Sequence, residues 1–183
     1  MIFQTENLAL RPFEADDVGA LQTYLNHPQL SGRRYLPDGF SDDIPLSRKQ
    51  VEALLDKWGQ AKDEAHLAII LTERQELVGH AEMEWEWDPH APWISVVISP
   101  TSQRRGYGTE VIGLLLKHLF ENTVAHNISS WMADWNQAAR EFAKSLGFQE
   151  SGRFRREGFH QGQYYDGILV DILRPEWAAA QER

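Results

Sequence analysis

Apolar and polar positions recur along the chain with two periods, one of strands and one of helices. Leu8-Ala9-Leu10-Arg11-Pro12-Phe13 alternates as a first strand. Pro12 breaks it before Asp16 and Asp17, which open a helix carrying Val18, Leu21 and Leu25. From Asn26 to Pro45 the chain is rich in Pro, Gly, Asp and Ser and keeps no period, which predicts a long surface segment of the kind that often faces substrate. Ser47-Arg48-Lys49-Gln50 has capping-box spacing, and Val51, Leu54, Leu55 and Trp58 then recur at helical intervals up to Gly59. His66 to Leu71 and Leu77 to Trp87 read as the two strands of a hairpin turning through Thr72–Glu76. After the turn at Asp88–Pro92, Trp93 to Ile98 reads as another strand, ended by Pro100, which has no amide to donate.

The second half continues the alternation of elements. Thr109 to Asn122 carries Val111, Ile112, Leu114, Leu115, Leu116, Leu119 and Phe120, too apolar for an exposed helix, so it is expected to be largely buried. Ile128 to Trp135 reads as a strand. Asn136 then caps a helix carrying Phe142 and Leu146, and Gly147 ends it. Phe154 to Gly158 and Tyr164 to Leu173 form a closing hairpin around Phe159-His160-Gln161-Gly162-Gln163. No internal repeat or low-complexity segment interrupts the pattern, and 183 residues suit one domain over 1–183.

Charge and composition narrow the partners. Eighteen Lys and Arg against 27 Asp and Glu leave a formal charge of −9, which repels nucleic-acid phosphates and anionic lipid heads. The same field suits a cationic small molecule or a basic peptide, although an acidic balance also serves solubility alone. With no cysteine there is no disulfide, no thiolate nucleophile and no cysteine metal site, which fits a cytoplasmic protein. The opening Met1-Ile2-Phe3-Gln4-Thr5-Glu6 has no basic region followed by an apolar one, and no apolar run approaches the ~20 residues of a membrane span. A soluble, unexported chain is the expectation.

The stretch richest in chemistry is Gln103-Arg104-Arg105-Gly106-Tyr107-Gly108, set between the strand ending at Pro100 and the long apolar helix. A turn there presents backbone amides at the positive end of a helix dipole, which is a pyrophosphate site. Gly106 and Gly108 remove side chains from the approach, and Arg104 and Arg105 add positive charge. The turn is neither a Walker A loop, which would end in Gly-Lys-Ser/Thr, nor the Gly-x-Gly-x-x-Gly of a dinucleotide fold.

These residues resemble the acetyl-CoA signature Gln/Arg-x-x-Gly-x-Gly/Ala of the GNAT acetyltransferases, matched by Gln103, Gly106 and Gly108. The opening Thr5-Glu6-Asn7-Leu8-Ala9-Leu10-Arg11-Pro12, the segment from Asn136 to Ser145-Leu146-Gly147-Phe148, and Leu173-Arg174-Pro175-Glu176-Trp177 look like the branch of ribosomal-protein N-terminal acetylases and polyamine acetylases. The resemblance implies a single-domain α/β fold: a mixed, mostly antiparallel twisted sheet with helices on both faces, splayed between the strands ending near Ile98 and Trp135. It implies that Val96 and Ile98 pair with the pantetheine arm and that the amides from Arg104 through Tyr107 to Thr109 hold the pyrophosphate. Asn136 would bond to the cofactor arm or serve as a helix cap. Where many members carry a tyrosine that protonates the departing thiolate, this chain has Ala143, which leaves Ser145, Tyr164 or a water for that task. The implied reaction moves acetyl from acetyl-CoA to a primary amine, of a protein N-terminus or a small cationic molecule, by direct attack in a ternary complex. No metal and no covalent enzyme intermediate are expected, in a monomer or a homodimer. The alternative is a non-catalytic acyl-CoA-binding or sensing module of the same fold.

Such a reaction needs a positioned amine, a base and a stabilised oxyanion. Glu82, Glu84 and Glu86 alternate with Met83, Trp85 and Trp87, so the three acids share one strand face beside the cofactor strand. That face is either plain solvent-facing surface or the lining of the acceptor groove, with Glu82 or Glu84 as base. His80 on the same alternation is more simply a structural hydrogen-bonder, and Trp85, Trp87, Trp93, Trp131 and Trp135 are core or sheet packing by default.

Overall fold

The computed structural model describes residues 3–33, 36, 40, 44–85 and 88–182. Glu86, Trp87 and eight positions of the 26–45 segment lie outside the described residues. Eight strands form one mixed sheet in the order β1-β2-β3-β4-β5-β6-β8-β7. Among the described residues, five α-helices accompany it. The chain falls into two compact units, Met1–Met83 with Val96–Leu115, and Glu84–Ser95 with Leu116–Arg183.

The first unit begins with β1 (Phe3–Gln4) and β2 (Leu8–Pro12), followed by α1 (Val18–Leu25) and α2 (Arg48–Gln60). The hairpin strands β3 (Glu64–Leu71) and β4 (Glu76–Glu84) come next. β2 runs antiparallel to β3 with Leu8 opposite Leu71 and Leu10 opposite Ile69, which places these four side chains on one face. Ala68 and Ile70 point the other way and join the core made with Val18, Leu21 and Leu25 of α1 and Val51, Leu54 and Trp58 of α2. α2 starts as its capping box dictates. The Gln50 amide donates to Ser47 Oγ at 3.3 Å, and the Ser47 amide donates to Gln50 Oε1 at 2.9 Å. Ahead of α1, Asp17 is buried and takes a two-pronged ion pair from Arg11 at 2.7 and 2.9 Å. Burial pushes its carboxyl up, but the Arg11 guanidinium and the Glu14 amide outweigh that and hold it below the usual carboxylate range.

β5 (Trp93–Ile98) leads through a short 3₁₀ turn, Pro100–Ser102, into α3 (Tyr107–Asn122). The helix starts two residues earlier than its apolar pattern suggests, because Gly106 already accepts from the Glu110 amide at 3.1 Å. Glu110 ties that first helical turn to the start of β2, accepting from Thr5 Oγ at 2.7 Å and Asn7 Nδ2 at 2.9 Å. Val111 and Leu115 behind it are fully buried.

In the second unit, β6 (Asn127–Ala133) lies beside the start of β5 and is antiparallel to β8 (Gln163–Leu173). The outer strand is β7 (Gln149–His160), and α4 (Gln137–Ser145) and α5 (Arg174–Gln181) complete the unit. The parallel pairing of β5 with β6 is confined, among the described residues, to Trp93 opposite Ser129. β6 ends at Ala133 rather than Trp135, and β7 begins five residues before Phe154. The closing hairpin turns on two residues only, Gln161 at φ 47° and Gly162 at φ 82°, both left-handed as a two-residue turn requires. α5 follows β8 directly. Its start is capped by the Glu176 carboxylate, which accepts from the Leu173 amide at 2.9 Å. Arg174 donates to the carbonyls of Phe120, Thr123 and Ala125, closing the C-terminal end of α3.

Candidate active site

The turn after β5 is braced by its own first residue. Gln103 Nε2 donates to the Ile98 carbonyl at 2.9 Å, fastening the turn back onto the strand it leaves. Arg104 takes φ 61° and Gly106 φ 85°, so the backbone reverses twice within three residues before α3 begins at Tyr107. A non-glycine residue in the left-handed region costs about 1 kcal/mol, a local strain of the kind found at ligand-clamping turns. Gly106 supplies the second reversal without that cost. Gly108 sits inside the first helical turn, which corrects its reading as part of the turn. It contributes the absence of a side chain rather than unusual angles. The amides at the start of α3 have no intrahelical partners, and Gln103, Arg104, Arg105 and Gly106 are exposed.

Glu82 and Glu84 stand on the face of β4 that carries His80, and both are half-buried. At His80 this face is covered by Tyr24 of α1 and Trp58 of α2. His80 is buried, and its Nδ1 lies 2.6 Å from the Tyr24 hydroxyl. Burial pushes the Tyr24 hydroxyl well up, so it keeps its proton beside the ring. Burial, with His66 nearby, pushes His80 down to about 3. A buried, neutral imidazole whose Nδ1 is already engaged with the Tyr24 hydroxyl is a structural group, as its position in the strand suggested.

Beside it lies a cluster that the sequence reading did not assemble. His66 Nε2 is 2.7 Å from Glu64 Oε2 and 4.0 Å from Glu82 Oε1. The imidazole stacks on Trp58 at 4.8 Å and 13°, and the same indole lies 5.2 Å from His80. The donor atoms of Glu64, His66 and Glu82 lie within 4.8 Å of one another, the one group of three among the described residues close enough for a cation to bridge. His66 also lines a cavity of about 340 Å³ with Phe13, Glu14, Glu52, Asp56 and Trp58. Its walls pair two aromatic rings with three carboxylates.

In the second unit Asn136 caps α4, its side chain accepting from the Ala139 amide at 3.4 Å. Ala143 is buried, and its carbonyl accepts from the Phe148 amide at 3.1 Å. Of the substitutes for a tyrosine here, Ser145 spends its hydroxyl on the Phe142 carbonyl at 2.7 Å, and Tyr164 is exposed at the hairpin tip against Phe159.

The family model described as the acetyltransferase (GNAT) domain matches residues 7–149, from β2 through the braced turn to the start of β7. This chain belongs to the GNAT acetyltransferase family. The GNAT is similar to the uncharacterised N-acetyltransferase p20 of Bacillus licheniformis, 23% identical over 177 residues, covering 95% of this chain and 97% of that protein. The uncharacterised N-acetyltransferase YoaA of Bacillus subtilis is 24% identical over 175 residues, with coverage of 95% and 97%. Among solved structures, a GNAT-family acetyltransferase from Bacillus anthracis superposes with TM-score 0.80 at 23% identity, covering 96% of this chain and 99% of that one. The spermidine N-acetyltransferase from Vibrio cholerae in complex with CoA and spermine superposes with TM-score 0.79 at 22% identity, covering 95% and 99%. The fold is the GNAT fold and the class of activity is acyl transfer. No helix among the described residues is long and apolar enough to cross a membrane.

One consequence of the GNAT core is a pH dependence of stability. His80 has a folded pKa of about 3, below the unfolded value of 6.5, so the unfolded chain binds the extra proton between them. Its contribution is complete above pH 6.5 and is lost as pH falls toward 3. Between pH 7.5 and 5.0, urea unfolding of the wild type should lose about 2 kcal/mol more than that of His80→Gln, which keeps an acceptor for Tyr24. Equal losses would mean that His80 takes its proton within the fold.

Proposed function

We propose that this GNAT, acting as one catalytic domain, transfers the acetyl group of acetyl-CoA to a primary amine by direct attack, with a small cationic amine as acceptor. The observation that carries the reading is the braced strand–turn–helix: Gln103 fastened to Ile98, two left-handed residues, and the start of a helix, whose first amides have no intrahelical acceptor. Those features fit a pyrophosphate. Amides from Arg104, Arg105, Gly106, Tyr107, Gly108 and Thr109 would hold it, with the two arginines adding charge. The backbones of Val96 and Ile98 would take the pantetheine arm. When bound, acetyl-CoA supplies an activated acyl carbon.

The chain's own residues then handle the amine and its proton. Glu82 takes the proton, and Glu84, one alternation on, draws the cation. The departing thiolate needs little help, because an ordinary thiol has a pKa of about 8.5 and solvent suffices as acid. That agrees with Ala143 and with the engaged hydroxyl of Ser145. The choice of a small cationic amine over a protein N-terminus is supported by the charge of −9 and by Glu14, Glu52 and Asp56 around the cavity. Offered acetyl-CoA with a linear polyamine, an aminoglycoside, an amino-acid amide and a peptide, the protein should release CoA thiol fastest with one of the two polycations. Acetyl-CoA binding without release in any mixture would make it a sensing module instead.

A further inference from the structure

We propose that His66 is a positioning residue whose buried Nε2–H, set between Glu64 and Glu82, holds the Glu82 carboxylate ready to take the acceptor's proton. The inference rests on the reading of Glu82 as base and adds how that base is prepared. The His66 side chain is only 3% exposed, against 36% for Glu64 and 25% for Glu82, so the imidazole is the fixed member of the trio. Its plane is set by the stack on Trp58, which is itself packed beside His80. Burial lowers the His66 pKa more than its bond to Glu64 raises it, so the ring is neutral and carries one N–H. That hydrogen belongs on Nε2, which faces carboxylates; Nδ1 is buried with no hydrogen-bond partner among the described residues, and an orphaned lone pair costs less there than an orphaned donor.

The N–H is hydrogen-bonded to Glu64 at 2.7 Å, and the Glu82 carboxylate stands next to it at 4.0 Å, in reach of a side-chain turn but not bonded. Glu82 receives the donor only when its carboxylate turns toward the ring. While Glu82 is ionised it competes for the donor; once it holds the acceptor's proton, the donor returns to Glu64. The other titratable groups around His66 are His80 of β4, neutral, Glu52 and Asp56 of α2, and Glu14 ahead of α1, all lining or adjoining the same cavity. None of them replaces the donor. Without it, Glu64 and Glu82 would face each other unscreened, and repulsion would favour a proton on Glu82 before the amine arrives.

Two substitutions separate the donor from the stack: His66→Phe keeps a ring against Trp58 and removes the N–H, whereas His66→Gln keeps an N–H. With acetyl-CoA saturating, the acid limb of kcat/KM against pH should move up by about one unit in His66→Phe and stay near wild type in His66→Gln. Glu64→Gln, at a half-exposed position that tolerates change, should move the limb down, since the donor then has Glu82 as its remaining anionic acceptor. In a Glu82→Gln background, His66→Phe should cause no further loss. A slow Glu82→Gln combined with wild-type limbs in His66→Phe and Glu64→Gln would overturn the role of His66 alone. Wild-type turnover by Glu82→Gln would remove the base itself, a different failure. Thermal stabilisation by Zn²⁺ that both His66→Gln and Glu82→Gln abolish would also overturn the proposal, because the three donors would then be holding a cation.

Discussion

Gly79→Ala should lose about 3 kcal/mol of stability, far more than an alanine normally costs in a strand. A Cβ at Gly79 would stand 2.3 Å from the Val97 carbonyl oxygen and 3.1 Å from the Ile98 Cα. Both obstacles are backbone, so no side chain can swing aside. Either β4 and β5 part locally or the strand slides, and β5 is the strand whose Val96 and Ile98 are proposed to receive the pantetheine arm. The loss should be visible as a lower urea midpoint at unchanged slope, accompanied by weakened acetyl-CoA binding. A variant as stable as wild type would mean that the β4–β5 pair has room the structure does not give it.

Glu82→Gln should lower kcat by a factor of about 10²–10³ while leaving acetyl-CoA affinity unchanged, the range expected when a general base loses its proton acceptor. The amide keeps the size of the side chain, so packing against His66 survives. Glu84→Gln should act chiefly on the KM for the amine, since its proposed task is attraction of the cation. Because amine acetylation also proceeds from the free base, the Glu82→Gln rate should recover partly as pH rises. A Glu82→Gln enzyme with the wild-type rate at pH 7 would show that the amine loses its proton elsewhere.

Local chemistry made much of the fold legible before any coordinates. Ser47 and Gln50 announce α2 because a capping box is satisfied by neighbours in sequence, and Pro100 ends β5 for the equally local reason that it has no amide. The braced turn was readable from its glycines and its place between strand and helix, although its helix begins at Tyr107. β7 was located only in its second half, because its exposed residues from Gln149 onward give no alternation. α5 had a readable start in Pro175 and Glu176, close to the strand end, and was overlooked. The His66 cluster was out of reach for a different reason. Its members come from α2, β3 and β4, and nothing in the local pattern of Trp58 says that it will stack on an imidazole. The alternation of Glu82 and Glu84 was read correctly, but which helices cover that face is decided by tertiary packing.

The most direct test of the account is a calorimetric titration of acetyl-CoA into the wild type and into Gly108→Val. Gly108 lies in the first turn of α3, so valine there should crowd the amides proposed for the pyrophosphate, and a melting curve of the variant checks that it folds. Micromolar binding by the wild type, weakened about a hundredfold or more in the variant, is the predicted result. Folded wild-type protein that does not bind acetyl-CoA, or a variant that binds it equally well, would contradict the account.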